Sequence, residues 1–228
     1  MRPNKQITVL LAEDHAIVRQ GLCALLRANG GFTLVGEARN GREVVELARS
    51  LRPDVILMDI AMPVLNGLEA TRQILATDPT ARVLILSAHS DDEYIERMTA
   101  VGAAGFLEKQ TSAEILTEAI QEVAQGRSFF SPTIRKRLAD GKKRSVDRNG
   151  FARSEAMRLT TRESEVLQLV AEGSANKQVA AALGISIKTV EKHRQHLMDK
   201  LNIHDTAGLT RYAIATGVIE SSVRLTIN

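Results

Sequence analysis

Along the first half of the chain, short apolar runs alternate with segments of helical period. The pairs are Ile7–Ala12 and Ile17–Leu26, Leu34–Ala38 and Val44–Leu51, Val55–Met58 and Leu68–Leu75, Val83–Leu86 and Tyr94–Val101, and Gly105–Leu107 and Ile115–Val123. Runs this short suit strands buried on both faces, and each intervening segment is long enough to cross back over a sheet. Repeated strand–helix units predict an α/β doubly wound, five-stranded parallel sheet with helices on both faces. In the last unit Ile115, Leu116, Ala119, Ile120 and Val123 fall at i, i+1, i+4, i+5 and i+8, one helical face that should pack on the sheet.

The pattern lapses from Pro132 to Arg158, a charged stretch broken by Gly141 and Asn149-Gly150, with Lys142-Lys143-Arg144 at its centre. It reads as a linker with a short helical start at Ile134–Leu138. The expected boundaries are 1–130 for the first domain, 131–156 for the linker and 157–228 for the second domain. Four helical segments follow without a strand. Thr160-Thr161-Arg162-Glu163 is a capping box and Gly173 stops the helix it opens. A second segment, Asn176–Leu183, ends at Gly184; Ser186 caps a longer helix to about Leu201, and a last helix spans Thr206–Thr216. The Gly184-Ile185-Ser186 link is the tight turn of a helix-turn-helix, so a small all-α domain is predicted. On the third helix Ile187, Val190, Leu197 and Leu201 form the stripe expected to face inward, and Lys188, Glu191, Lys192 and Gln195 the one expected to face out.

Composition changes this picture in two ways. The net charge of +3 is unevenly spread. Residues 1–130 carry 13 Lys/Arg against 17 Asp/Glu, whereas residues 131–228 carry 17 against 10, so a −4 half precedes a +7 half. A basic second half suits a polyanion, usually nucleic acid. The single Cys23 can make neither an intramolecular disulfide nor a cysteine-based zinc site, which fits a reducing compartment. The first apolar run ends at Glu13-Asp14 after six residues, too few for a membrane span or a signal-peptide core, so a cytoplasmic protein with no membrane partner is expected.

Candidate chemistry lies at strand ends. Glu13-Asp14 closes the first strand and Asp59 the third, and open parallel sheets bind ligands outside the carboxyl ends of their strands. Three converging carboxylates call for a hard divalent cation, and Mg²⁺ suits a small oxygen set. A metal-held carboxylate beside a cation can act as a nucleophile toward phosphorus. Ser87 at the end of the fourth strand and Lys109 after the fifth supply a donor and a point charge for phosphoryl oxygens.

The runs Val9-Leu10-Leu11-Ala12-Glu13-Asp14-His15, Pro53 to Asp59 continuing to Met62-Pro63 and Asn66-Gly67, and Gly105-Phe106-Leu107-Glu108-Lys109 resemble response-regulator receivers, which are flavodoxin-like. The resemblance covers about residues 5–127. It implies that Asp59 accepts phosphate from a sensor histidine kinase, and that Glu13, Asp14, Asp59 and the Ala61 backbone carbonyl hold Mg²⁺. It further implies that Ser87 and Lys109 bind the phosphoryl group, and that Phe106 is the aromatic switch whose rotamer follows Ser87. Glu13 stands where Asp is commoner, and Gln110 where many receivers have proline, which leaves the isomer of the Lys109–Gln110 bond open.

The segment from Leu159-Thr160-Thr161-Arg162-Glu163 to Lys200-Leu201 is similar to LuxR-type DNA-binding domains, and the whole chain resembles the NarL/FixJ class of transcriptional regulators. The resemblance places Lys188, Thr189, His193 and Arg194 near phosphates of double-stranded DNA and Glu191, Lys192 and Gln195 nearest base edges, with Thr206–Thr216 as a dimerisation helix. It implies a homodimer formed on phosphorylation or on DNA, with RNA polymerase as a further partner. Such a protein is expected to be no turnover enzyme, with a receiver that catalyses only its own phosphotransfer and slow dephosphorylation. Two other readings stay open. A phosphohydrolase also uses an Asp nucleophile, but the dehalogenase type has an acid two positions later, where this chain has Ala61. Alternatively, a DNA-binding regulator independent of phosphorylation would use the receiver as a dimerisation module only.

Overall fold

The computed structural model describes residues 6–88, 92–131, 134–135 and 159–219. The chain divides into two compact units, residues 1–151 and 152–228.

In the first unit the elements run β1 (Ile7–Ala12), α1 (Ala16–Ala28), β2 (Phe32–Ala38), α2 (Gly41–Leu51), β3 (Val55–Asp59), α3 (Gly67–Thr77), β4 (Val83–Ser87), α4 (Asp92–Val101), β5 (Gly105–Glu108), α5 (Ala113–Ala124) and β6 (Phe129–Phe130). The strands are all parallel, in the order β2-β1-β3-β4-β5-β6. From β1 the chain winds outward to β2 on one side and then, through β3, to the other, so the switch point lies between β1 and β3. Alternate residues of each strand serve opposite faces. Leu10, Ile56, Met58, Ile85 and Phe106 pack with Val44 of α2, Ile74 of α3 and Ile95 of α4. Val9, Leu11, Leu57, Leu84 and Leu107 pack with Leu26 of α1 and Leu116, Ile120 and Val123 of α5. Burying each such side chain contributes roughly 1.5–3 kcal/mol. Cys23 is a buried free thiol in this second layer.

Two expectations need amending. The sheet has six strands rather than five: Phe129 and Phe130 pair with Gly105 and Phe106. A side chain at residue 105 would put its Cβ 2.4 Å from the Phe129 carbonyl oxygen, so glycine admits this last strand, and two residues are too few to show an alternating pattern. Ile115 is 39% exposed and leaves the apolar face of α5, which Leu116, Ala119, Ile120 and Val123 carry alone. Of the helical start expected at Ile134–Leu138, residues 134–135 are helical and the remainder lies outside the described residues, as do Lys142-Lys143-Arg144 and Asn149-Gly150. Ile134 itself is fully buried in the core of the first unit.

The second unit is all-helical among its described residues: α6 (Thr161–Ala171), α7 (Asn176–Leu183), α8 (Ile187–Leu201) and α9 (Thr206–Ala215). The capping box forms as expected: Thr160 Oγ1 accepts from the Glu163 amide and the Glu163 carboxylate accepts from the Thr160 amide. Gly173 takes a left-handed conformation, and the Gly173 and Ser174 amides donate to the Val170 and Leu169 carbonyls, which closes α6. Leu167, Val170, Val179, Leu183, Val190, Leu197 and Leu209 are buried in this unit.

Candidate phosphoacceptor pocket and nucleic-acid interface

Asp59 owes its position to β3 and to the loop and helix that come after the strand. Asn66 caps α3 by accepting from the Glu69 amide, and Gly67 lets the start of that helix press against the end of the strand. A Cβ at residue 67 would stand 2.1 Å from the Asp59 carbonyl oxygen. The connecting loop is tightly folded: the Met62 amide donates to the Ile60 carbonyl at 3.1 Å and the Leu65 amide to the Pro63 carbonyl at 2.8 Å. These two γ-turns centre on Ala61, whose carbonyl is the expected ligand, and on Val64, whose φ of 69° is unusual for a β-branched residue.

Around Asp59 the structure gathers Glu13, Asp14 and Lys109. The Lys109 ammonium donates to Asp59 Oδ2 at 2.8 Å and lies 2.8 Å from Glu13 Oε2. Asp59 and Glu13 are 3% and 1% exposed. Burial first, and then the Glu13 charge, push the Asp59 carboxyl up to about 6, against the opposing pull of Lys109. Burial would lower the Lys109 ammonium, but Asp59 and Glu13 outweigh it and hold the group above its ordinary value. Ser87 is buried at the end of β4, in register with Glu108, and its carbonyl accepts from the Lys109 amide at 2.8 Å. Phe106 is turned inward, fully buried in the same layer as Ile95 and Met98 of α4. The Lys109–Gln110 peptide bond is trans.

Two residues that the sequence did not single out complete this pocket. Arg19, buried on the first turns of α1, donates to the Glu13 and Asp14 carbonyls at 2.9 and 3.1 Å and so holds the loop that aims both acids. His15 brings Nδ1 to 2.9 Å from Asp14 Oδ1, and its ligand atom lies within 4.8 Å of those of Glu13, Asp14 and Asp59. Adjacency to Glu13-Asp14, and the spacing of one helical turn from His15 to Arg19, were the available signals.

In the second unit Gly184 is left-handed at the end of α7, and Ser186 caps α8 by accepting from the Thr189 amide. Lys188, Glu191, Lys192 and Gln195 form an exposed stripe, and Thr189, His193 and Arg194 are half-buried beside it. Val190 and Leu197 face inward, but Ile187 is 45% exposed, contrary to expectation, because the first residue of the helix lies beyond its neighbours' reach. Arg194 Nη1 donates to Asn176 Oδ1 at 2.7 Å and Nη2 to Thr206 Oγ1 at 3.2 Å, tying together the starts of α7 and α9. Glu163 and Lys200 pair at 3.0 Å and join α6 to α8. On α9, Leu209 and Ala213 are buried and Ile214 is exposed. No helix among the described residues is long and apolar enough to cross a membrane.

A parallel sheet with a lysine-bridged acid pair at its switch point, followed along the chain by a helix-turn-helix unit, is the arrangement of a receiver-type domain joined to a helix-turn-helix one. Comparison with known proteins agrees. The family model of the response regulator receiver domain matches residues 9–121, and that of the luxR family of bacterial regulatory proteins matches residues 157–213. The chain is 35% identical over 226 residues to the transcriptional regulatory protein DegU of Brevibacillus brevis, covering 94% of this chain and 96% of that one. It is 34% identical over 214 residues to the response regulator protein VraR of Staphylococcus aureus, covering 94% and 99%. A crystal structure of a LuxR-family two-component response regulator from Aurantimonas sp. matches with a TM-score of 0.58 at 32% identity, over 61% of this chain and 99% of that chain. The chain belongs to the two-component response regulators of the NarL/FixJ class, in which a receiver precedes a LuxR-type DNA-binding domain.

Proposed function

We propose that this protein is a transcriptional regulator of the cytoplasm, switched by phosphorylation of Asp59 by a sensor histidine kinase. The supporting observation is the buried Asp59 carboxylate held at 2.8 Å by Lys109 beside Glu13. Receivers bind Mg²⁺ in an acidic pocket, and this donor set fits a hard cation. Asp14 Oδ1 is a buried oxygen that accepts no hydrogen bond, and the buried Glu13 Oε2 stands 2.8 Å from the Lys109 ammonium. Glu13, Asp14, Asp59 and the Ala61 carbonyl would hold the ion, which when bound supplies positive charge to the carboxylates and to incoming phosphoryl oxygens. An Asp59 oxygen attacks the phosphorus of a phosphohistidine; the P–O bond forms as the P–N bond breaks, and the imidazole nitrogen leaves and takes up a proton. Lys109 and the Ser87 hydroxyl stabilise the transferred oxygens, and Phe106 reports the change to α4 and β5 by moving from its inward position.

In the second domain, placed at 157–228 after a receiver of 1–130 and a linker of 131–156, α8 enters the major groove of double-stranded DNA. Lys188, Thr189, His193 and Arg194 lie toward phosphates and Glu191, Lys192 and Gln195 toward base edges. The helix Thr206–Thr216 pairs two copies, so two recognition helices meet one duplex, where RNA polymerase is the further partner. The decisive experiment traps a beryllofluoride adduct on Asp59 and titrates DNA duplexes selected from a random pool. Coupling of about 1–3 kcal/mol raises affinity roughly 5- to 150-fold, and Asp59→Asn abolishes both the adduct and the rise. Equal affinity and equal oligomeric state in both forms would instead make the receiver a dimerisation module independent of phosphorylation.

A further inference from the structure

The chain that runs on to the second compact unit leaves the first one pinned beside Phe106. β6 lies next to β5, with Phe129 in register with Gly105 and Phe130 with Phe106, and the Phe129 amide donates to the Ala104 carbonyl at 3.0 Å. The two phenylalanines serve opposite faces of the sheet: Phe129 packs on the layer of α1 and α5, and Phe130 on the layer of α2, α3 and α4. Four residues after Phe130 the chain returns to that same layer. Ile134 is fully buried there, in one cluster with Ile85, Ile95, Met98 and Phe106. Two carbonyls hold its place: that of Ser131 accepts from the Arg135 amide at 2.9 Å, and that of Phe130 accepts from Arg135 Nε at 2.8 Å.

This attachment is slight. A strand of two residues and one apolar side chain carry it, beside strands of four to seven residues, so it belongs to the part of the receiver that opens most easily. Its two grips are the backbone of β5 and the apolar layer that Phe106 fills. A close-packed layer answers the departure of one large side chain by repacking the neighbours, so the seats of Phe106 and Ile134 are coupled. We propose that Phe129, Phe130, Ser131, Ile134 and Arg135 form a strap that is docked while Phe106 is inward and undocks when Phe106 moves. Undocking is then the step by which the state of Asp59 reaches the chain leading to the second domain. The inference rests on the proposed phosphotransfer to Asp59 and names the element that it releases. Linkage makes the effect reciprocal: a strap weakened by mutation favours the phosphorylated state by the factor that phosphorylation weakens the strap.

The test uses the full-length protein, with beryllofluoride and Mg²⁺ as the probe. Hydrogen exchange resolved by residue should show the Phe129, Ile134 and Arg135 amides losing protection when the adduct forms. Ile134→Ala should show that loss without the adduct, and should bind beryllofluoride roughly fivefold or more tightly than the wild type. Ile134→Val keeps the apolar anchor and should behave as the wild type does. The elements from β1 to α5 bury side chains of their own, and far-ultraviolet circular dichroism verifies that both variants fold. A strap that only adds stability would loosen in Ile134→Ala and leave the beryllofluoride affinity unchanged. That result, or a strap equally or better protected with the adduct than without it, overturns the inference and leaves the phosphorylation of Asp59 standing. If the wild type takes up no beryllofluoride, the reading of Asp59 as phosphoacceptor fails together with this inference.

Discussion

At the scale of single residues, the receiver pocket stores two unfavourable arrangements. The first is electrostatic: burial and Glu13 lift Asp59 to about 6 from an ordinary value of 3.8. For a carboxyl raised in the folded state, the linked stability is fully present below its unfolded value and is lost as pH rises through the folded one. Above about pH 7 the metal-free pocket therefore costs about 3 kcal/mol. A divalent cation binds the ionised form, so Mg²⁺ should raise the melting temperature of the receiver strongly near pH 8 and little near pH 5. Asp59→Asn should flatten this dependence in calorimetry; an equal Mg²⁺ effect at both pH values would show that Asp59 is not the titrating ligand. The second arrangement is conformational. Val64 holds φ at 69° at the centre of its γ-turn, which Val64→Gly relieves at some entropic cost to the unfolded chain's ordering. The expected gain is about 1 kcal/mol by urea denaturation, and a loss of stability would mean that the valine side chain matters more than its backbone strain.

At the scale of elements, α8 carries both a residue that helps hold the helical unit together and residues that stand on its exposed face. Arg194 spans from Asn176 to Thr206 and so braces two helix starts, whereas Lys188 stands on the exposed stripe. Arg194→Ala should therefore destabilise the helical unit by about 1 kcal/mol, a fall in melting temperature of roughly 4–8 °C. Lys188→Ala should leave stability unchanged and reduce the salt dependence of DNA binding by roughly one phosphate contact. A constant melting temperature for Arg194→Ala would mean that the bonds to Asn176 and Thr206 add nothing to stability and that Arg194 serves DNA phosphate alone. The capping box on α6, the left-handed Gly173 and Gly184, and the Ser186 cap were all legible in the sequence because each is settled by residues close together in the chain. The exposure of Ile115 and Ile187 was not, since helical periodicity marks a face but not where the opposing surface ends.

At the scale of the whole molecule, the receiver draws on chain beyond its last helix. Ile134 is fully buried in the same core as Ile56, Ile74 and Phe106, and Arg135 Nε donates to the Phe130 carbonyl at 2.8 Å. A fragment ending at residue 130 should therefore be less stable than one extended through residue 151 by about 2 kcal/mol, as measured by chemical denaturation. Ile134→Ala in the longer fragment should reproduce most of that loss, and two fragments of equal stability would show that Ile134 contributes nothing. A fragment of residues 157–228 should melt cooperatively by itself, since its buried side chains are supplied by α6 to α9.

The sequence alone determined the alternation of strands and helices, the placement of Glu13, Asp14, Asp59 and Ser87 at strand ends, and the helix-turn-helix. These come from local rules: a period of two or 3.6, caps that act over three residues, and acids that terminate apolar runs. Only the tertiary structure decided that Lys109 reaches Asp59 across 50 residues, that Arg194 bonds Asn176 across 18, and that β6 closes on Gly105. It alone decided too that His15 turns its nitrogen toward the acids and that Ile134 is core. Each of these depends on the position of atoms brought close by the topology of the chain, and no pattern of neighbours in sequence encodes a distance between segments that meet only when the sheet is complete.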